Sequence, residues 1–162
     1  MTGEPPDGAD GRVVIPVKQQ PRAVKVCAAD VSPNRRRGGD LRVLLGPSTV
    51  GSTAGFLGVL VLEPGEYVSE HYHPYSEEFL YVTAGELTVR VEQELVELSA
   101  DQGLMVPIGQ RHRVENRSLA RAVAVFQLCP LAPHPSLGHV DTEPVINPGG
   151  DHLTVGPRAA GT

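Results

Sequence analysis

His71 and His73 stand two residues apart, Glu78 follows five residues later, and His112 lies beyond a second turn-forming segment. On an extended strand a spacing of two projects both imidazoles from one face, about 6.5 to 7 Å apart along the chain, so they can converge on one ion. Pro74-Tyr75-Ser76 can turn the chain and start the next strand at Glu78, whose carboxylate can close the same site. Pro107-Ile108-Gly109-Gln110-Arg111 is another turn, and His112 begins a strand that can lie beside the first. Three imidazoles and one carboxylate suit a borderline divalent metal rather than Ca or Mg. Four protein ligands in a five- or six-coordinate sphere leave one or two positions for water or substrate, the layout of a working site. A lone histidine is ordinarily a surface or core group, but this pair, spaced Glu and third His are jointly improbable by chance. Glu77 points to the opposite face from Glu78, and a one-residue slip would exchange them.

The elements that must position these groups read as short strands. Ala23 to Cys27, Leu41 to Leu45, Phe56 to Leu62, Glu78 to Val82, Leu87 to Glu92, Glu94 to Leu98, Leu104 to Val106, Arg111 to Asn116 and Arg121 to Leu128 are apolar or β-branched runs bounded by turn formers. In Leu87-Thr88-Val89-Arg90-Val91-Glu92, alternation predicts Leu87, Val89 and Val91 in the core and Thr88, Arg90 and Glu92 in water. No convincing ten-residue helix is found, and 18 Gly and 15 Pro punctuate the chain. Eight or nine strands in 162 residues predict an all-β single domain, a sandwich or barrel with the double-sheet jelly roll among the closed solutions. Residues 1–20 and 143–162 read as flexible tails around a domain at 21–142.

A net charge of −5, with Arg35-Arg36-Arg37 closed off by Gly38-Gly39-Asp40, argues against a nucleic-acid partner. No apolar run is long enough for a membrane span, and the N-terminus lacks signal-peptide features, so a cytoplasmic location is expected. Cys27 and Cys129 are too few and too far apart for a disulfide scaffold and are read as buried reduced thiols.

The site resembles the cupin superfamily. Gly65, His71, His73, Glu78 and Gly85 match its first motif, and Pro107, Gly109, His112 and Asn116 match its second. Asp101 replaces the Gly found six residues before that Pro, from which a changed turn is expected, relieved by Gly103. The runs Asn34 to Asp40, Glu70 to Val82 and Leu137 to Thr142 resemble the small cupin cyclases of bacterial aromatic polyketide pathways, of the tetracenomycin, resistomycin and spore-pigment type. That resemblance, over about residues 30 to 143, implies a homodimeric jelly roll with a metal, often zinc, at the bottom of an apolar cavity, while the ligand set itself also suits Fe, Mn or Ni. It implies action on a poly-β-ketone or aromatic polyketide made by a type II polyketide synthase.

An aldol closure needs a proton removed beside a carbonyl, a stabilised enolate oxygen and a chain held so that the wrong ring cannot form. Phe56, Leu60, Phe79, Tyr81, Met105 and Phe126 are candidate cavity-lining residues, each also readable as ordinary core. Tyr81, one of four tyrosines around the first motif, could donate to a ketone or phenolate, and Gln127 faces either the cavity or solvent. His139 could serve as base, as support for a ligand or as an additional ligand, or be a loop histidine, while His134 and His152 are expected at the surface. Other readings stay open: a metal-dependent oxygenase with the same ligands, and a non-catalytic small-molecule binding module or polyketide-shaping subunit; a sugar isomerase is a third, which no distinctive polar sugar-binding motif supports.

Overall fold

The computed structural model describes residues 22–153. Within them lie β1 (Asp40–Leu45), a one-turn helix at Pro47–Val50, β2 (Phe56–Leu62), β3 (Tyr67–Tyr72), β4 (Glu77–Ala84), β5 (Glu86–Val91), β6 (Glu94–Ser99), β7 (Gly103–Val106), β8 (His112–Glu115), β9 (Ala122–Cys129) and β10 (Val140–Asp141). Two five-stranded antiparallel sheets result, ordered β1-β2-β9-β4-β7 and β10-β3-β8-β5-β6. From β2 onward the chain changes sheet at every step except the β5–β6 hairpin, so inward-facing side chains from both sheets share one core.

Period-2 alternation explains which face closes. On β2, Phe56, Gly58, Leu60 and Leu62 are buried; on β9, Ala122, Ala124, Phe126 and Leu128; on β4, Glu78, Leu80 and Val82. Phe56 and Phe126 meet edge to face with centroids 6.0 Å apart. Gly58 admits that ring: a Cβ there would stand 2.3 Å from Phe126 Cζ and 2.4 Å from the Arg42 carbonyl. Among the described residues no helix is long and apolar enough to cross a membrane.

Several expectations need correction. Ala23 to Cys27 is not a strand; its side chains are mostly exposed, and the 3-10 turn at Ala28–Asp30 that follows is tied down by Arg42 Nη1, which donates to the carbonyls of Ala28 and Val31. Cys27 is exposed rather than buried. Thr88 is buried at 7% exposure because β5 lies between β6 and β8, where Thr88 pairs with Glu97 and Glu115. The segment Tyr67–Tyr72 is a strand in its own right, and a tenth forms at Val140–Asp141.

The expected C-terminal tail is also corrected, since residues 143–153 fold back onto the domain. Glu143 accepts from Arg113 and from the Glu70 N–H, Asn147 bonds Arg35 and Arg36 backbone, and Arg36 Nη1 donates to the carbonyls of Pro148 and Gly150. The expected N-terminal tail, residues 1–20, and residues 154–162 lie outside the described residues.

Candidate metal centre

A bulge aims the first ligand. Val68 pairs with Val114 and faces the core, so strict alternation would turn His71, three residues on, toward solvent. His71 instead pairs with His112: three steps on β3 oppose two on β8, and the extra residue resets the phase. The Ser69 N–H is satisfied by the Arg37 carbonyl at 2.8 Å. His71 then points inward, and His73, two residues later, follows it.

Glu78 reaches the same space by plain alternation, in phase with Leu80 and Val82, while Glu77 takes the other face as expected. His112 opens β8 beside His71. The Gly109 N–H donates to the His73 carbonyl at 2.9 Å, which ties the turn before His112 to the turn after His73. Buried Asn116 closes the lower end, donating to the carbonyls of Leu62 and Ala120.

All four side chains are buried, with exposures of 7% for His71, His73 and Glu78 and 0% for His112. Their candidate ligand atoms lie within 4.8 Å of one another. Each histidine is oriented through Nδ1 to a backbone carbonyl: His71 to Ser69 at 2.8 Å, His73 to Gly138 at 2.9 Å and His112 to Gln110 at 3.1 Å. A carbonyl only accepts, so each Nδ1 carries the hydrogen and each Nε2 lone pair is left for a cation.

Glu78 Oε2 lies 3.2 Å from His73 Nε2 and 2.7 Å from His112 Nε2, yet neither Oε2 nor His112 Nε2 has a partner in hydrogen-bond geometry. Lone pairs crowded so closely in a buried place need positive charge among them. Burial disfavours charge on both groups, but Glu78 outweighs it to raise His112, and His112 with His73 holds Glu78 well below its ordinary value. His71, further from the carboxylate, is pushed well down by burial and by its two histidine neighbours. Three neutral imidazoles and a carboxylate form a donor set that fits a borderline divalent ion.

His71, His73 and Glu78 lie on the wall of a cavity of about 40 Å³ lined mainly by apolar side chains, among them Phe56, Leu60, Val68 and Phe126. Space for a water is roughly 10 to 15 Å³, so the cavity has room for a few waters or an ion. Leu153, from the returning C-terminal segment, is among its lining residues.

His139 is also on this wall, with Nδ1 buried and unpartnered. Its pKa is lowered to about 3, by burial first and then by the Arg37 charge. His134 and His152 are exposed, as expected.

Tyr81 and Gln127 are corrections: both are exposed on the outer face of the first sheet, and Tyr81 donates to Asp101 Oδ1 at 2.8 Å. Phe79 and Met105, paired opposite each other on that face, are 39% and 45% exposed and do not line the cavity. The replaced glycine is a correction too. Asp101 itself adopts φ 67, its N–H donating to the Val82 carbonyl, while Gly103 lies within β7.

Arg37 and Asn34 line the cavity and were not singled out from the sequence. The available signal was an arginine run stopped by two glycines, a pattern that marks a tight approach but says nothing of what is approached.

Comparisons place these features among known proteins. The cupin domain profile matches residues 58–127. The chain is 59% identical over 126 residues to polyketide synthase CurC of Streptomyces cyaneus, spanning 78% of this chain and 80% of that protein. It is 56% identical over 126 residues to the tetracenomycin polyketide synthase protein TcmJ of Streptomyces glaucescens, spanning 78% and 85%. Among solved structures, oxalate decarboxylase of Lactobacillus farciminis superposes with a TM-score of 0.61 at 18% identity, over 70% of this chain and 34% of that one, a likeness of fold alone.

Proposed function

The chain belongs to the cupin superfamily, in the company of small polyketide-synthase proteins, and from that membership we propose that it is a metal-dependent cyclase acting on a poly-β-ketone in aromatic polyketide biosynthesis. The observation that carries this reading is the convergence of three Nε2 atoms and one carboxylate oxygen beside a mainly apolar cavity whose wall includes His71, His73 and Glu78. When bound by His71, His73, Glu78 and His112, a divalent ion supplies Lewis-acid polarisation of a carbonyl. Zinc is our choice, because an aldol closure requires no redox change; Fe, Mn and Ni are the alternatives that metal analysis distinguishes.

The chain's own residues supply the remainder. The Ser69, Gly138 and Gln110 carbonyls fix the three rings, so the ligand atoms are preorganised. Phe56, Leu60 and Phe126 exclude water and limit the folds a flexible chain can take. Orientation of that kind is worth on the order of 7 to 11 kcal/mol in favourable cases.

His139 is assigned to proton handling. Its low pKa keeps the ring neutral and able to accept a hydrogen bond, and also makes it a weak base. It therefore suits a proton already acidified between two carbonyls rather than an ordinary C–H.

A homodimer and contact with synthase components belong to the same reading. The exposed Phe79, Tyr81 and Met105 on one sheet face support the former.

The test is a reconstituted type II synthase supplied with parent, His71→Ala or His112→Ala protein, each checked for folding and metal content. The cyclase reading expects the cyclised product to fall at least tenfold in both variants, with no oxygen consumed. Unchanged product patterns would remove the metal from the chemistry, and stoichiometric oxygen uptake would establish an oxygenase.

A further inference from the structure

Arg37 is 7% exposed and forms part of the wall of the metal cavity. Its Nε donates to Asp141 Oδ1 at 2.5 Å, but its Nη2 is buried with no hydrogen-bond partner. A guanidinium has five donor hydrogens in a planar fork, and burying one edge unpaired carries a substantial desolvation cost. The chain maintains that arrangement from both sides: the Arg37 carbonyl holds the Ser69 N–H, and Asp141, on β10, pairs with His71. On the same wall His139 Nδ1 is buried and unpartnered. One cavity thus contains a metal-type donor cluster together with an unsatisfied, fixed cationic donor.

We propose that Arg37 is a substrate-binding residue whose free edge takes an enolate oxygen of a 1,3-dicarbonyl held in this cavity. A 1,3-dicarbonyl delocalises negative charge over two oxygens on an otherwise apolar carbon frame. Such an ion matches a cavity whose lining is apolar except for the metal cluster and a few polar groups. Arg37 suits this better than Lys could, because one edge of the fork stays on Asp141 while another remains for the ligand. The inference rests on reading the cavity as the place where a poly-β-ketone binds, and it adds which form is selected: the ionised, enolic one.

The test is calorimetric binding, which requires no turnover. The probes are 5,5-dimethylcyclohexane-1,3-dione, an enolate at neutral pH, and its 2,2,5,5-tetramethyl relative, which cannot form that enolate. Full-length protein is used both loaded with zinc and stripped of metal. The enolate is expected to bind at least tenfold more tightly than its blocked relative in both forms. Arg37→Gln should abolish that difference while zinc content and the circular dichroism spectrum are unchanged.

Asp141→Asn provides a second reading, because it removes the competing carboxylate. It should retain or tighten enolate binding, whereas a purely structural ion pair predicts the same loss as in R37Q. Should R37Q fail to fold, D141N decides, and weaker binding there overturns the proposal. Equal affinity for both probes, enolate binding lost on metal removal but retained in R37Q, or tighter binding of cyclohexanecarboxylate would also overturn it. If the synthase assay shows no cyclisation while these affinities hold, the cyclase reading falls and this assignment of Arg37 stands.

Discussion

The Arg37 carbonyl accepts the Ser69 N–H at 2.8 Å, and this bond joins a loop to the one irregular point of the strand that bears His71 and leads into His73. Without the bulge at Ser69 the β3 register would place His71 outside. The loop 34–39 therefore acts on the candidate ligand cluster without contributing a side chain to it. Its glycine makes the approach possible: Gly38 has φ 106, and a Cβ there would stand 2.0 Å from the Tyr67 carbonyl oxygen.

Gly38→Ala is accordingly expected to be severe. The backbone conformation is one that L residues avoid, and the clash is with main chain that cannot rotate away. We expect a loss of at least about 2 kcal/mol in urea unfolding, together with weaker zinc binding as the bulge shifts. Full stability with intact zinc affinity would show that the loop does not brace the bulge.

Metal removal should cost stability as well as activity. An ion at a thousandfold excess over its dissociation constant adds about 4 kcal/mol if it binds only the folded chain. For a domain of this size that corresponds to a fall in melting temperature on the order of 10 °C after chelation. Binding should also release protons on the acid side of neutrality, since His112 holds its proton more tightly in the metal-free chain than a free imidazole does and must give it up to become a ligand. Calorimetry in buffers of different ionisation enthalpy measures that release directly.

Much of this was readable because period-2 patterns survive into the fold. Glu78 could be assigned inward from Leu80 and Val82, and the same logic would have put Tyr81 outward, one residue out of phase, and Gln127 outward between Phe126 and Leu128. Their polar chemistry invited a catalytic reading that phase alone argued against. The bulge was not readable, since Val68, Ser69 and His71 are all buried and obey no single period. Arg37 acts on β3 through its carbonyl, which every residue possesses, so no side-chain pattern could announce it. The returning segment 143–153 is held largely by backbone carbonyls and a few polar side chains, and its composition resembles that of a solvated tail.

Acid should destabilise the metal-free chain in a defined window. His139 is held near 3 in the fold, by burial and then by Arg37, with His73 and His152 acting in the same direction and Asp141 opposing. Between its unfolded value of about 6.5 and that folded value, the unfolded chain binds the proton and the folded chain does not, so stability falls as pH drops through this range. His71 has the same sign, and Glu78, lowered by its histidines, adds its loss below about 4.5. His139→Leu should flatten the pH dependence of urea unfolding between pH 6.5 and 4; an unchanged slope would place His139 in water.

Asp101 offers a smaller, signed test. A non-glycine residue at φ 67 costs roughly 1 to 2 kcal/mol, and the Tyr81 hydroxyl bond returns part of it. In a Tyr81→Phe background, where that bond is already absent, Asp101→Gly should stabilise the chain by about 1 kcal/mol. Tyr81→Phe alone should leave cyclised product unchanged, because the ring lies on the outer sheet face.

Access to the cavity should depend on the returning segment. At about 40 Å³ the cavity must widen to admit a polyketide, for which ligand sites of roughly 300 Å³ or more are usual. Leu153 forms part of its lining, and the segment that carries Leu153 is fastened by Arg36 to the Pro148 and Gly150 carbonyls. Arg36→Ala removes these fastenings without touching a ligand or the Arg37 to Asp141 pair. Zinc transfer to an external chelator should then accelerate several-fold, while the melting temperature of the zinc-loaded protein moves by no more than a few degrees. An unchanged transfer rate would mean that the ion leaves by another route and that residues 143–153 do not control entry.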